Sequence, residues 1–262
     1  MAAKLSTLVS LLEGLTPLRY AESWDNVGLL VGDPEASIAK VLVTVDYSAD
    51  VAEEARTQGV DLVVAYHPPL FAAVKRVPHD ALWADAIRRN IAIWSMHTAL
   101  DVARGGTNDV LADACGMHAN RRALRPVKPP NDDPALGQGR VGDVTPIGRS
   151  ALIASLKTKL GLSGVLVAGP TDRDAKRVAV AAGADGELME DAIRAGADVF
   201  VTGEVRHHDA LAAARRGVMV VATLHSNSER IGVGVHAQRV RATLPDVEVI
   251  LSTADADPFQ LR

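Results

Sequence analysis

Short β-branched runs alternate with helix-like segments along this chain, and the alternation occurs twice in the same order. The first series predicts strands at Val41–Val45, Leu62–Ala65 and Ile91–Met96, with helices over about 49–58, 80–89 and 108–114. The second predicts strands at 165–168, 178–182, 199–202 and 218–223, with helices over 151–160, 187–195, 209–216 and 228–244. Continuous apolar strands separated by helices imply mostly parallel sheets covered on both faces.

The two series resemble each other residue by residue. With Val41 set against Val178, Val43 matches Val180, Glu53 matches Glu190, Gly59 matches Gly196 and Asp61 matches Asp198. After a small slip, His79-Asp80-Ala81-Leu82 stands beside His208-Asp209-Ala210-Leu211, and after one more adjustment His97-x-x-x-Asp101 stands beside His225-x-x-x-Glu229. Matches that keep their order over three elements point to a duplicated unit. The expected fold is therefore α/β: two structurally similar α/β/α halves with mostly parallel sheets and a metal site between them. Residues 1–124 would form the first half and 149–262 the second. A Pro- and Gly-rich connection, 125–148, would join them, with Pro129-Pro130 and Asn131-Asp132-Asp133-Pro134, and carry one short strand around 140–144. Leu5, Leu8, Val9, Leu12 and Leu15 recur at helical spacing, so the N-terminus reads as a helix packed on either half rather than a targeting segment.

Composition narrows the class. The 262 residues carry a formal charge of −4, which argues against a dedicated nucleic-acid binder. Aromatic residues make up only 3%, so Val, Leu, Ile and Ala must build the core. Cys115 is the single cysteine, which excludes an internal disulfide and a thiol-rich zinc knuckle. No run approaches the length of a membrane span, and a cytoplasmic location is expected.

Reactive side chains gather at the carboxyl ends of the expected strands: Asp46, His67 and His97 in the first series, Glu204 and His225 in the second. Open parallel sheets bind ligands at that edge. Imidazole with carboxylate is the usual donor set for zinc, manganese or iron. A strand that ends in His and supplies an acid four residues later can aim both at one point, as His225 with Glu229 and His97 with Asp101 would. Other readings stand beside this one. Ser226-x-x-Glu229 is also a capping box. His97 could be a core histidine bonded to a carbonyl, and Asp101 could accept bonds in the Gly105-Gly106 loop. His207 and His208 suit a helix start, and His79, His118 and His236 read as surface residues. Gly137-x-Gly139-x-x-Gly142 matches the dinucleotide fingerprint literally, but it runs into Asp143-Val-Thr-Pro rather than a helix. Gly183-Ala-Asp-Gly186 could hold an anion or simply make a tight turn.

Ser23-Trp24-Asp25-Asn26-Val27-Gly28-Leu29-Leu30-Val31-Gly32 resembles the opening signature of the Nif-three-like family of dinuclear metal centre proteins, homologues of a type 2 GTP cyclohydrolase I. His67-Pro68, His97-Thr-Ala-Leu-Asp101, Gly139-Arg-Val-Gly142, Thr202-Gly203-Glu204 and His225-x-x-x-Glu229 resemble its further motifs in order. The likeness covers nearly the whole chain and suggests the short form without an inserted middle domain. It implies a pair of divalent metal ions, for which the donor set suits zinc, iron or manganese, and a toroidal homohexamer. His67, Asp101, His225 and Glu229 map onto the family's ligands, with Glu229 bridging and His97 as an extra or supporting ligand. Where the family usually has two adjacent histidines, this chain has Tyr66-His67. Tyr66 as a phenolate or His97 would then replace the lost nitrogen, or the site would hold one ion.

The function expected is metal-dependent hydrolysis of a small phosphorylated or nucleotide-like substrate, ring opening of GTP being one version. Glu204 is the candidate general base or water-orienting group. The contrasting expectation is a non-catalytic metal-binding ring serving as scaffold, chaperone or metal store. No membrane or nucleic-acid partner is expected.

Overall fold

The computed structural model describes residues 2–127, 133 and 135–260. Pro129, Pro130, Asn131, Asp132 and Pro134 of the expected connection lie outside the described residues. In chain order the principal elements begin with α1 (Leu5–Leu15), β1 (Gly28–Val31), β2 (Lys40–Thr44), α2 (Ala49–Thr57), β3 (Leu62–Ala65), α3 (Leu82–Arg88) and β4 (Ala92–Ser95). Next come α4 (His97–Val102), α5 (Thr107–Ala114), β5 (Met117–Arg122), β6 (Arg140–Gly148), α6 (Arg149–Leu160), β7 (Leu166–Ala168) and β8 (Asp174–Ala181). The chain finishes with α7 (Met189–Arg194), β9 (Val199–Thr202), α8 (His207–Arg215), β10 (Met219–Ala222), α9 (His225–Thr243) and β11 (Glu248–Leu251). Among the described residues, no helix is long and apolar enough to cross a membrane.

The chain forms two compact units, Met1–Leu100 with Val233–Ala256, and Asp101–Gly232 with Asp257–Arg262. This division differs from the expected 1–124, 125–148 and 149–262. The second part of α9 and the strand β11 complete the first unit, because β11 pairs in parallel with β2, Val249 opposite Val41.

In the first unit the sheet order is β11-β2-β3-β4-β1, with only β1 antiparallel. Val41, Val43, Leu62, Val64 and Trp94 face one layer, where α1 contributes Leu5, Leu8 and Leu12 and α9 contributes Val233, Ala237 and Val240. Leu42, Val63 and Ile93 face the other, against Val51 and Ala55 of α2 and Ala86 of α3. Burial on both faces is why these strands read as unbroken apolar runs. The N-terminal helix thus belongs to the first unit.

The second unit holds a six-stranded sheet in the order β7-β10-β9-β8-β6-β5, in which β8, β9 and β10 pair in parallel and the pairings β7–β10, β8–β6 and β6–β5 are antiparallel. Leu111, Leu152 and Leu156 cover the face bearing Val178, Val199 and Val221. Met189, Ala192 and Ala213 cover the face bearing Ala179, Phe200 and Val220. The segment expected to be a connection supplies β6, a nine-residue strand inside this sheet. Its apolar signal is broken because close neighbours leave no room for side chains: a Cβ on Gly142 would lie 2.7 Å from Met117 Sδ. The G-x-G-x-x-G run is therefore strand packing, as its sequence context suggested.

The repeat extends to hydrogen bonds. Asp61 Oδ2 accepts from the amides of Ala39 and Lys40, and Asp198 Oδ2 accepts from Lys176 and Arg177, the aligned pair. Gly59 and Gly196, aligned two residues earlier, both have positive φ. The duplicated Gly-x-Asp thus does the same work in each unit, tying a helix end to the start of the preceding strand.

Candidate functional site

Three histidines end or follow strands, and each is held the same way. His67 Nδ1 lies 2.9 Å from Asp46 Oδ1, His97 Nδ1 lies 2.8 Å from Asp25 Oδ1, and His225 Nδ1 lies 2.9 Å from Glu204 Oε1. An ionised carboxylate can only accept, so Nδ1 carries a hydrogen, and in a ring that holds a single hydrogen Nε2 is the atom left to face a cation. This is the orientation that a carboxylate imposes on metal-ligating imidazoles.

Within the first unit, Tyr66, His67 and His97 form one ring cluster. The centroids lie 4.9 Å apart for Tyr66 and His67, 5.5 Å for Tyr66 and His97, and 5.3 Å for His67 and His97. Tyr66 is buried in the core that also contains Trp94 and Leu100. Asp25 has its side chain fully buried and also accepts from Thr98 N at 3.1 Å. Burial acts to raise the Asp25 pKa, but hydrogen bonds from His97 and Thr98 outweigh it and hold the carboxyl below its usual value. His97 itself has φ of +23°, a sterically costly conformation held by this network.

Within the second unit, His225 opens α9, and Glu229 one turn later brings Oε1 to 3.2 Å from His225 Nε2. These two residues belong to a group of side chains that could hold a metal ion. Leu224, just before the helix, has φ of +73°, so a strained junction precedes His225 as one occurs at His97. Ser226 lies inside the helix and donates to Asp257 at 2.8 Å, which leaves the capping-box reading without its N-cap serine. Glu229 is 2% exposed, and loop 183–186 closes over it. Gly183 has φ of +67°, and a Cβ there would lie 2.6 Å from Glu229 Oε1. Gly183 N donates to Ser228 Oγ at 2.8 Å, which pins that loop. Asp101 accepts from Thr107 Oγ1 at the start of α5 through Oδ1.

Two participants lay outside the sequence-derived set. Asp25 orients His97 across 72 residues, and only its place in the Trp24-Asp25-Asn26 motif hinted at a role. Asp185, in the Gly183–Gly186 turn, is the second. Burial first, then the charges of Asp101, Glu187 and Glu229, push it up to about 7. A buried acid whose pKa is raised by neighbouring carboxylates marks a region where a cation is favourable. The donor set therefore fits a divalent ion: buried or oriented carboxylates and imidazoles with Nε2 as the ligating atom.

The other histidines divide. His207 and His208 start α8 and are exposed, and His79 and His118 are exposed as expected. His236 is not a surface residue. It is fully buried, because it continues the apolar face of α9 set by Val233, Ala237 and Val240. Cys115 is buried and its thiol is pushed up to about 12 by burial, which makes it unreactive.

Residues 3–258 match the family described as Duf34/NIF3 (NGG1p interacting factor 3). A GTP cyclohydrolase 1 type 2 homolog of Clostridium perfringens is 31% identical over 263 residues, covering 98% of this chain and 99% of that one. A NIF3 homolog protein of Schizosaccharomyces pombe is 33% identical over 271 residues, covering 97% and 96%. Among solved structures, a hypothetical protein of Staphylococcus aureus superposes with a TM-score of 0.89 at 28% identity, covering 99% of each chain. A Bacillus cereus protein related to NIF3 shares the fold with a TM-score of 0.91 at 22% identity, again over 99% of each chain. The chain belongs to the Duf34/NIF3 family.

Proposed function

We propose that this protein binds one or two divalent metal ions through His67, Asp101, His225 and Glu229, with His97 as a further ligand, and uses them to hydrolyse a small phosphorylated or nucleotide-like substrate. The observation that carries the reading is the shared Nδ1–carboxylate pairing of His67, His97 and His225. A structural core histidine has no need of a fixed tautomer three times over. The name carried by the Clostridium relative, GTP cyclohydrolase 1 type 2 homolog, favours a nucleotide among the candidate substrates.

A divalent ion supplies Lewis acidity and makes water more acidic at neutral pH. The chain's own groups do the rest. Asp46, Asp25 and Glu204 keep three imidazoles in the ligating tautomer. Glu204, with a half-exposed side chain, is the group that accepts a proton from incoming water. Gly183 and Ser228 hold the backbone over Glu229. Assembly as a homohexamer in the cytoplasm completes the proposal.

A second reading, a metal-binding scaffold or store without turnover, draws support from Tyr66. Its ring lies in the apolar core where a histidine would add a ligand. Elemental analysis of the purified protein, followed by assays with GTP and a phosphoester panel, separates the two. Bound zinc, iron or manganese with turnover that is lost in Glu229→Ala and His225→Ala supports the hydrolase. Retained metal with no turnover favours the scaffold, and no bound metal under any loading condition overturns both.

A further inference from the structure

Of the chain's three Trp and three Phe residues, Trp24, Phe71 and Phe259 are exposed, and the first two lie side by side as a shared aromatic surface. Trp24 is 60% exposed and Phe71 51% exposed. Their ring centroids lie 6.1 Å apart, tilted by 56°, and Trp24 stands edge-on to His97 at 6.1 Å. Both rings sit on loops that are tied together, since Asn26 Nδ2 donates to the Leu70 carbonyl at 2.6 Å. Asp25, between Trp24 and Asn26, is anchored on His97 and Thr98. The aromatic pair is thus pre-organised rather than left over from the core. Four and five residues beyond Phe71, the same loop carries Lys75 and Arg76. Both are exposed, and among the described residues neither has an ion-pair partner.

We propose that Trp24 and Phe71, with Lys75 and Arg76, form a recognition site for a planar heteroaromatic ring that carries a phosphate. The site rests on the function proposed above, because it delivers such a ligand beside His97. A tilt of 56° at 6.1 Å leaves no slot for a ring between the two side chains. The ligand ring therefore stacks on the exposed face of Trp24, with Phe71 as a side wall. Stacking selects a π-face without regard to sequence-like detail, and the two cations answer the phosphate. Neither half suffices alone: the aromatic pair does not distinguish a free base from a nucleotide, and the cations do not distinguish a nucleotide from a sugar phosphate.

The test uses the full-length protein with GMP, guanosine and ribose 5-phosphate as probes, read by calorimetry and by tryptophan fluorescence. GMP should bind at least tenfold more tightly than either fragment. Trp24→Ala should weaken GMP roughly tenfold, the loss expected of one stacked ring, Phe71→Ala should weaken it by less, and both should leave ribose 5-phosphate unchanged. Lys75→Gln with Arg76→Gln should weaken GMP and ribose 5-phosphate, leave guanosine unchanged and flatten the salt dependence. Metal content is measured on every variant, so loss of metal is scored against the metal proposal and loss of ring binding against this one. No saturable GMP binding, ribose 5-phosphate binding as tight as GMP, or GMP affinity within twofold of wild type in Trp24→Ala overturns the proposal. A change in oligomer mass in Trp24→Ala with GMP affinity unchanged overturns it too, and shows the aromatic pair to be a contact between copies.

Discussion

His236 offers a quantitative test of how the core of the first unit is built. Its imidazole is fully buried, and among the described residues neither ring nitrogen has a hydrogen-bond partner. Burial, and then the nearby Arg239 charge, lower its pKa from 6.5 to about 4. The ring is therefore neutral in the folded chain at pH values where it is protonated in the unfolded one. Between pH 6.5 and about 4 the unfolded state binds more protons, so stability falls as pH falls, and the loss levels off below the folded value. Over the full window the shift corresponds to about 3 kcal/mol; stopping at pH 5.0, before most carboxylates titrate, captures about 2 kcal/mol. Asp185, raised to about 7, has the opposite sign, since its stabilising protonated form is lost as pH rises through that value. Comparing wild type with His236→Leu cancels that contribution. Urea unfolding of both proteins at pH 7.5 and 5.0, with chelator and at one protein concentration, gives the difference directly. The wild type should lose about 2 kcal/mol more than His236→Leu on acidification, and the variant should be at least as stable as wild type at pH 7.5, having shed two unpartnered polar atoms. An equal loss in the two proteins would refute the reasoning, because it would mean the ring is protonated or solvated in the native state.

Two further substitutions probe the second unit. Arg140 is fully buried, with Nε 2.6 Å from Asp109 Oδ1 and its other nitrogens on the carbonyls of Gly137, Gly139, Val102 and Ala103. Arg140→Met removes the nearer of two cations from Asp109, leaving Arg121 Nη1 at 3.8 Å, and frees four buried carbonyls; it should cost about 3–5 kcal/mol in urea unfolding, and a cost under about 1 kcal/mol would show that Arg121 or water replaces the lost partner. Gly183→Ala drives a Cβ against Glu229 Oε1 at a positive φ, and should weaken zinc binding at least tenfold in competition with a chromophoric chelator. Gly14→Ala, which meets nothing within 4 Å, is the matched control and should leave zinc affinity unchanged.

The parallel strands were legible because each is buried on both faces and reads as an apolar run: Leu62–Ala65 and Val199–Thr202 fall where the pattern puts them. The duplication was legible because Gly-x-Asp recurs at a constant offset, and the two aspartates accept from corresponding pairs of amides. Helix α4 was missed because it starts on His97 itself, with no linker or cap between strand and helix. The strand β6 was read as only a short strand within a connection because glycines and a proline interrupt it, although the sheet needs small residues there.

Local order alone determined the alternation of strands and helices, the repeated unit, and the placing of His67, His97 and His225 at strand ends, because period and spacing are properties of neighbouring residues. Tertiary structure alone decided which carboxylate orients each imidazole, which turn closes over Glu229, and that His236 is buried. Those outcomes depend on sheet register and on loops meeting across 21 to 72 residues, and no pattern within one segment encodes the identity of a partner on another.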